Sequence, residues 1–278
     1  MSTLAVHKPL ERAGAYFLLT VFAFLMLAPL FWALLTALKP VGAVFNDPFG
    51  LSVDLWSLQS FVDVFKTTPF HVYMANTAKI TFFSVLGVVA TSALAGYAFA
   101  RLKFPGRDFL FMLLLATLMI PRQVTLVPTF MIMKQFGLID DHLSLILPGA
   151  ISVFGVFLMR QFFITVPNDY EDAAKIDGCG VLRRFFLVIL PFAQGTIATL
   201  VLLQVMSVWN DFLYPMVFLN SELNRTLTLG LAILRGDLDT RWNLLMAAVV
   251  ISNLPIVVAF LVTQKFVIKG IATTGLKG

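Results

Sequence analysis

Between Pro167 and Pro191 the chain reads PNDYEDAAKIDGCGVLRRFFLVILP, with Asp169, Glu171, Asp172 and Asp177 gathered around Lys175. These charges suit recognition: they form a charged, helix-favouring loop between two membrane-length apolar runs, a docking element for a soluble partner. Asn168 or Asp169 is placed to cap a short helix, Glu171 and Asp172 put negative charge in its first turn, and Gly178 with Gly180 ends it. Ala173 and Ala174 leave a small-residue face, one turn on from Tyr170, that a partner groove can approach closely. Glu171 and Lys175 are four residues apart, so the same stretch also reads as an exposed helix with an internal ion pair worth about 0.2–0.5 kcal/mol.

Other chemistries are poorly supplied. No Gly-x-x-x-x-Gly-Lys-Ser/Thr loop is present, so ATP binding by that route is not expected. His7, His71 and His142 are far apart and lack the spacing of a metal site. The single cysteine, Cys179, cannot form an internal disulfide and reads as a small residue in a reducing compartment. No cofactor is expected on this chain, and no basic run with interleaved aromatics points to nucleic acid.

Polar residues within apolar runs are the remaining candidates, because a charge at the bilayer centre costs roughly 2.5–3.5 kcal/mol on insertion scales and usually faces a cavity. Arg122 follows Pro121, and Pro128 comes soon after, so this segment is expected to bend where it lines a path. The alternative is that Arg122 snorkels to the surface, as expected for Lys79. Asn210 and Asp211 are placed to line an outer gate or to hydrogen-bond backbone at a helix end. Gln204, Ser207 and Asn253 face either a polar path or a neighbouring helix.

The elements that carry these residues follow from composition. At 59% hydrophobic and 13% charged, the chain is far from a soluble globule, which averages about 45–50% apolar and about 25% charged. Six runs approach the roughly 20 residues needed to cross a bilayer: Ala15 to Leu38, Val72 to Ala100, Phe109 to Met133, Leu143 to Met159, Phe192 to Trp209 and Leu244 to Thr263. The first follows Lys8 and Arg12 but exceeds the roughly 7–15 residues of a signal core, so it reads as a retained span. With both termini inside, twelve lysines and arginines fall on the cytoplasmic side and six outside, leaving out Lys79 and Arg122. That bias puts the Asp172 loop in the cytoplasm. The stretch from Lys39 to His71, with Pro40, Gly42, Pro48 and Gly50, reads as an outer loop with room for a short helix on the membrane. The expectation is one domain over residues 1–278, all-α and polytopic, with six transmembrane helices and a cytoplasmic helix between the fourth and fifth.

The loop resembles the signature loop of binding-protein-dependent ABC importer permeases, with Asp172, Ala173, Ala174, Gly178, Leu190 and Pro191 on its positions. The family usually has glutamate at Asp172 and isoleucine at Val188. Tyr97-Ala98-Phe99-Ala100-Arg101 with Phe104-Pro105-Gly106 is similar to the exit of the second helix in the maltose-type carbohydrate permeases. Trp209-Asn210-Asp211-Phe212 is similar to the end of their fifth helix, and Lys277-Gly278 to their C-terminus. The resemblance implies half of a translocation path for a sugar or sugar-like solute. It also implies a homologous second permease, two cytoplasmic ATPase subunits that hold ATP and Mg, and an external solute-binding protein. Glu171, Asp172, Ala173, Ala174, Asp177 and Gly178 would then couple to an ATPase. A glycerol-phosphate importer permease would look alike. An ion-coupled secondary transporter, with Asp211 as its one plausible acidic group, is the alternative class, and a membrane scaffold without transport is a third.

Overall fold

In the computed structural model, which describes residues 9–46, 56–236 and 240–275, the six apolar runs are helical. His7, Lys8, Pro48, Gly50, Lys277 and Gly278 lie outside the described residues. The helices are α1 (Pro9–Leu38), α2 (Ala43–Asn46), α3 (Gln59–Thr67), α4 (Phe70–Arg101), α5 (Arg107–Ala116), α6 (Arg122–Gln135), α7 (Leu143–Gly149), α8 (Val153–Thr165) and α9 (Asp169–Ile176). They continue as α10 (Val181–Arg184), α11 (Gln194–Trp209), α12 (Leu213–Phe218), α13 (Leu227–Arg235) and α14 (Trp242–Gly275), with no strand among the described residues. Among the described residues, five stretches are long and apolar enough to cross a membrane, and a sixth is added if α5 and α6 count as one bent span. The protein is therefore an all-α polytopic membrane protein.

The α5–α6 pair turns by 101°. Thr117–Met119 tightens into a 3₁₀ turn and Ile120 becomes extended, because the ring of Pro121 disfavours helical geometry in the residue before it. The bend expected at Pro121 is present, and its size means that the two limbs are not one straight rod.

Two boundaries differ from the sequence reading. The fourth span runs from Leu143 to Thr165 rather than stopping at Met159, with a break between α7 and α8. Arg160 does not end it, because its Nε donates to the Phe99 carbonyl at 3.3 Å and its guanidinium lies 4.0 Å from the Phe111 ring centroid. The fifth span starts at Val181, not Phe192, so the loop proper is shorter than 167–191. Pro191 sits inside this span. It has no N–H to donate and its ring crowds the preceding turn, and the helix there widens into a π segment at Phe185–Ile189 followed by a 3₁₀ turn at Leu190–Ala193.

The chain divides into two compact units, Met1–Thr68 with Ile233–Ser252, and Pro69–Ala232 with Asn253–Gly278. In the first, α1 packs on α3, Ser57 N donates to the Leu38 carbonyl at 2.8 Å, and Asn243 Nδ2 donates to Ser60 Oγ at 3.0 Å. α1 turns Phe24 and Met26 outward, as a helix apolar on all sides does in lipid. The second unit is organised around α4, which packs most extensively on α8 and then on α11. Val88, Tyr97, Met159, Phe163, Phe185, Ile189 and Leu200 form its core. Gly96 allows α4 and α8 to approach closely: a Cβ there would lie 2.7 Å from Met159 Cβ and 3.0 Å from the Arg160 backbone nitrogen.

Candidate functional site

α9 is held at both ends by its own backbone. Asn168 occupies the N-cap position, and its carbonyl accepts from the N–H groups of Glu171 and Asp172, each at 2.9 Å. The side-chain cap expected from Asn168 or Asp169 is not made. Arg101 Nη1 donates to Asn168 Oδ1, which takes that oxygen away from the helix N–H groups. At the other end Gly178 has φ +77°. Cys179 N donates to the Ala174 carbonyl at 2.9 Å and Gly178 N to the Lys175 carbonyl at 3.0 Å, a Schellman closure that glycine enters without steric cost.

The charges of α9 divide between its two faces. Glu171 does not pair with Lys175, because its carboxylate is buried against α4. Oε1 accepts from Tyr97 Oη at 2.6 Å, and Oε2 lies 3.7 Å from Arg101 Nε. Lys175 Nζ instead donates to Asp172 Oδ1 at 2.6 Å, and that ammonium holds the Asp172 carboxyl below its usual range. The two alanines also separate: Ala174 is buried, whereas Ala173 is exposed. Ile176, 86% exposed, stands on the open side with Ala173, Asp172, Lys175 and Asp177. Tyr170 is half-exposed and packs its ring on Phe192, with centroids 4.9 Å apart.

A second site lies in the same unit, where a cavity of about 630 Å³ is bordered by α4, the α5–α6 bend, the α7–α8 break and the end of α11. Arg122, Gln204, Ser207 and Asp211 line it together, whereas Asn210 and Asn253 are not among its lining residues. Asn210 donates through Nδ2 to the Met206 carbonyl at 2.8 Å, the helix-end bond that was its alternative. Arg122 Nη2 lies 3.6 Å from Asp211 Oδ2, and its guanidinium carbon is 4.9 Å from the Tyr214 ring centroid. Tyr214 Oη donates to the Arg122 carbonyl at 2.8 Å, and Gln204 Nε2 donates to the Gly149 carbonyl at 3.2 Å. The lining thus presents a cation, a carboxylate and hydroxyls, which can hydrogen-bond a polyol.

Several residues here were not singled out for these roles from the sequence. Tyr97 and Arg101 enter the sequence reading through a family resemblance and, for Arg101, the charge bias, although their spacing of one helical turn puts both on one side of α4. Thr77, Thr125, Ser152 and Tyr214 join the cavity through long-range packing that no local pattern marks. His71 is exposed, and His142 Nε2 lies 3.0 Å from the Asn224 carbonyl. Among the described residues no group of three His, Cys, Asp or Glu is placed to hold a metal.

Residues 91–273 match the family described as "Binding-protein-dependent transport system inner membrane component". The probable ABC transporter permease protein YurM of Bacillus subtilis is 33% identical over 264 residues, covering 93% of this chain and 87% of the relative. The arabinooligosaccharides transport system permease protein AraQ of Halalkalibacterium halodurans is 32% identical, covering 92% and 93%. The sn-glycerol-3-phosphate transport system permease protein UgpE of Yersinia pestis is 30% identical, covering 92% and 94%. A solved bacterial ABC transporter involved in the import of the acidic polysaccharide alginate contains a chain with the same fold, at TM-score 0.80 and 23% identity, over 95% of this chain and 99% of that one.

Proposed function

This chain belongs to the family of binding-protein-dependent transport system inner membrane components, and from that premise we propose that it forms half of the path of an ATP-driven importer for a sugar or sugar-like solute. The second half comes from a homologous permease. Two cytoplasmic ATPase subunits, carrying ATP and Mg, supply the energy, and an external binding protein delivers the solute. This chain is a transport subunit and binds no cofactor itself.

The observation that carries this reading is α9: a short helix capped by its own backbone, buried on one face by Glu171 and Ala174 and open on the other at Asp172, Ala173 and Ile176. Its open face suits a groove on an ATPase. Movement of α9 in that groove drives rigid-body alternating access. The cavity supports the path half of the reading, since Arg122, Asp211, Gln204 and Ser207 converge there with Tyr214. The relatives' names favour oligosaccharides, with a glycerol-phosphate solute as the alternative within the class. The lysine and arginine bias puts both termini and α9 in the cytoplasm.

The test is assembly. Purified alone, the chain should hydrolyse no ATP. Co-expressed with its second permease and ATPase, it should co-purify with both, and solute-loaded binding protein should stimulate hydrolysis. With Cys179 replaced, a cysteine at Lys175 should be shielded from an impermeant external reagent, whereas one at Asp140 should react. An unassociated ATPase, or the reverse labelling pattern, contradicts the reading.

A further inference from the structure

Glu171 is the one carboxylate of α9 that is turned inward, at 7% exposure, and its partners lie at the end of α4. The Arg101 side chain, 8% exposed, makes more contacts than that ion pair: Nη2 donates to the carbonyl of Phe163 at 2.6 Å and to that of Val166, and Nη1 to Asn168 Oδ1. One guanidinium therefore joins the end of α4, the end of α8 and the start of α9. Its planar, multi-donor geometry is one that lysine cannot reproduce. The Tyr97 ring is wedged between Phe163 and Phe185, with centroids at 6.1 and 5.0 Å, so the hydroxyl that holds Glu171 is fixed in place.

α4 contains no proline and runs from Tyr97 back to Thr77 and Ile80, which line the cavity. At about 1.5 Å per residue that is about 30 Å of unbroken helix, the thickness of the hydrocarbon core. Close packing at Gly96 against Met159 resists sliding along α8.

We propose that Tyr97 and Arg101 are positioning residues that grip α9 through Glu171, so that displacement of α9 is carried by α4 as one rigid body to the cavity wall at Thr77 and Ile80. This rests on the reading of α9 as the ATPase-docking helix. Cutting the grip leaves docking intact and removes transmission.

The experiment uses the assembled importer and measures ATPase co-purification, basal ATP hydrolysis, and its stimulation by solute-loaded binding protein. Tyr97→Phe deletes only the hydroxyl and should retain assembly and basal hydrolysis, while the stimulation ratio falls at least about fivefold, the low end of allosteric coupling. Glu171→Gln should lower the same ratio. Thr91→Val, which removes another α4 contact, the 3.0 Å bond from Thr91 Oγ1 to the Ala150 carbonyl, should leave the ratio unchanged. In a background without Cys179, spin labels at Lys175 and Ala78 should keep a constant separation through the ATP cycle in the parent protein and lose it in Tyr97→Phe. Wild-type stimulation in both Tyr97→Phe and Glu171→Gln, or a constant label separation in Tyr97→Phe, overturns the grip alone. A parent complex that fails to assemble, or is not stimulated, overturns the docking reading and the grip with it.

Discussion

Arg122 and Asp211, far apart in sequence, face each other at 3.6 Å on the cavity wall, with the Arg122 guanidinium resting on the Tyr214 ring. The Arg122 side chain is 63% exposed, so solvent screens the pair and its share of stability is small, about 0–1 kcal/mol. The donors and acceptors it presents to the cavity matter more. A hydrogen bond to a charged group is worth about 1.5–3 kcal/mol, so Arg122→Ala and Asp211→Asn should each weaken uptake at limiting solute by about tenfold or more. Insertion and thermal stability should be nearly unchanged. Parent-like uptake in both variants would remove the pair from the path.

Asp140 provides a pH test away from the path. It occupies the left-handed region at φ +65°, and its carboxylate accepts from the Ser221 hydroxyl, from Ser221 N at 2.9 Å and from Asn220 N at 2.8 Å. Those donors, the Ser221 hydroxyl foremost, lower its pKa from the ordinary 3.8 to about 2. A depressed carboxyl stabilises the fold above its unfolded pKa, and that contribution is lost as pH falls from about 4 through about 2. Asn tolerates the same backbone and carries no charge. Thermal melts of Asp140→Asn should therefore show reduced stability at pH 7 and a flatter decline in acid. A decline as steep as the parent's would show that the clip is not the titrating element.

On α9 the two substitutions act by different routes. Ala173 is exposed, so Ala173→Arg should leave the isolated chain folded and block partner docking. Around Gly178 an added side chain meets nothing within 4 Å, so Gly178→Val disrupts through its φ of +77°, which valine disfavours. Co-purification of the ATPase should fall in both, while Lys175→Ala, which removes only the exposed pair with Asp172, should remain close to the parent. Full assembly in both disruptive variants would make α9 an ordinary solvated helix.

Much of this fold was legible because lipid imposes it. Long apolar runs must close their backbone hydrogen bonds as helices, and the runs at Ala15–Leu38 and Val72–Ala100 lie within α1 and α4, each within two residues of an apolar span boundary. Pro121 announced a bend but not 101° of it, since the angle is set by packing. Span ends at Arg160 and Pro191 were misplaced for the same reason: a charge and a proline read as boundaries until neighbouring elements satisfy them, here the Phe99 carbonyl and a π turn. Glu171 shows the limit of local spacing. Lys175 was the nearest cation along the helix, but Tyr97 and Arg101, more than 60 residues earlier, were nearer in space.

The proposed function requires that this chain move its solute only as part of an ATP-driven complex. The direct measurement is uptake of labelled oligosaccharide into proteoliposomes holding the chain, its second permease and the ATPase, with binding protein outside and ATP enclosed. The expected result is uptake that requires ATP, binding protein and every subunit, and that Ala173→Arg abolishes. Accumulation by the isolated chain under a proton or sodium gradient, without ATPase, would overturn the proposed function and make the protein a secondary transporter.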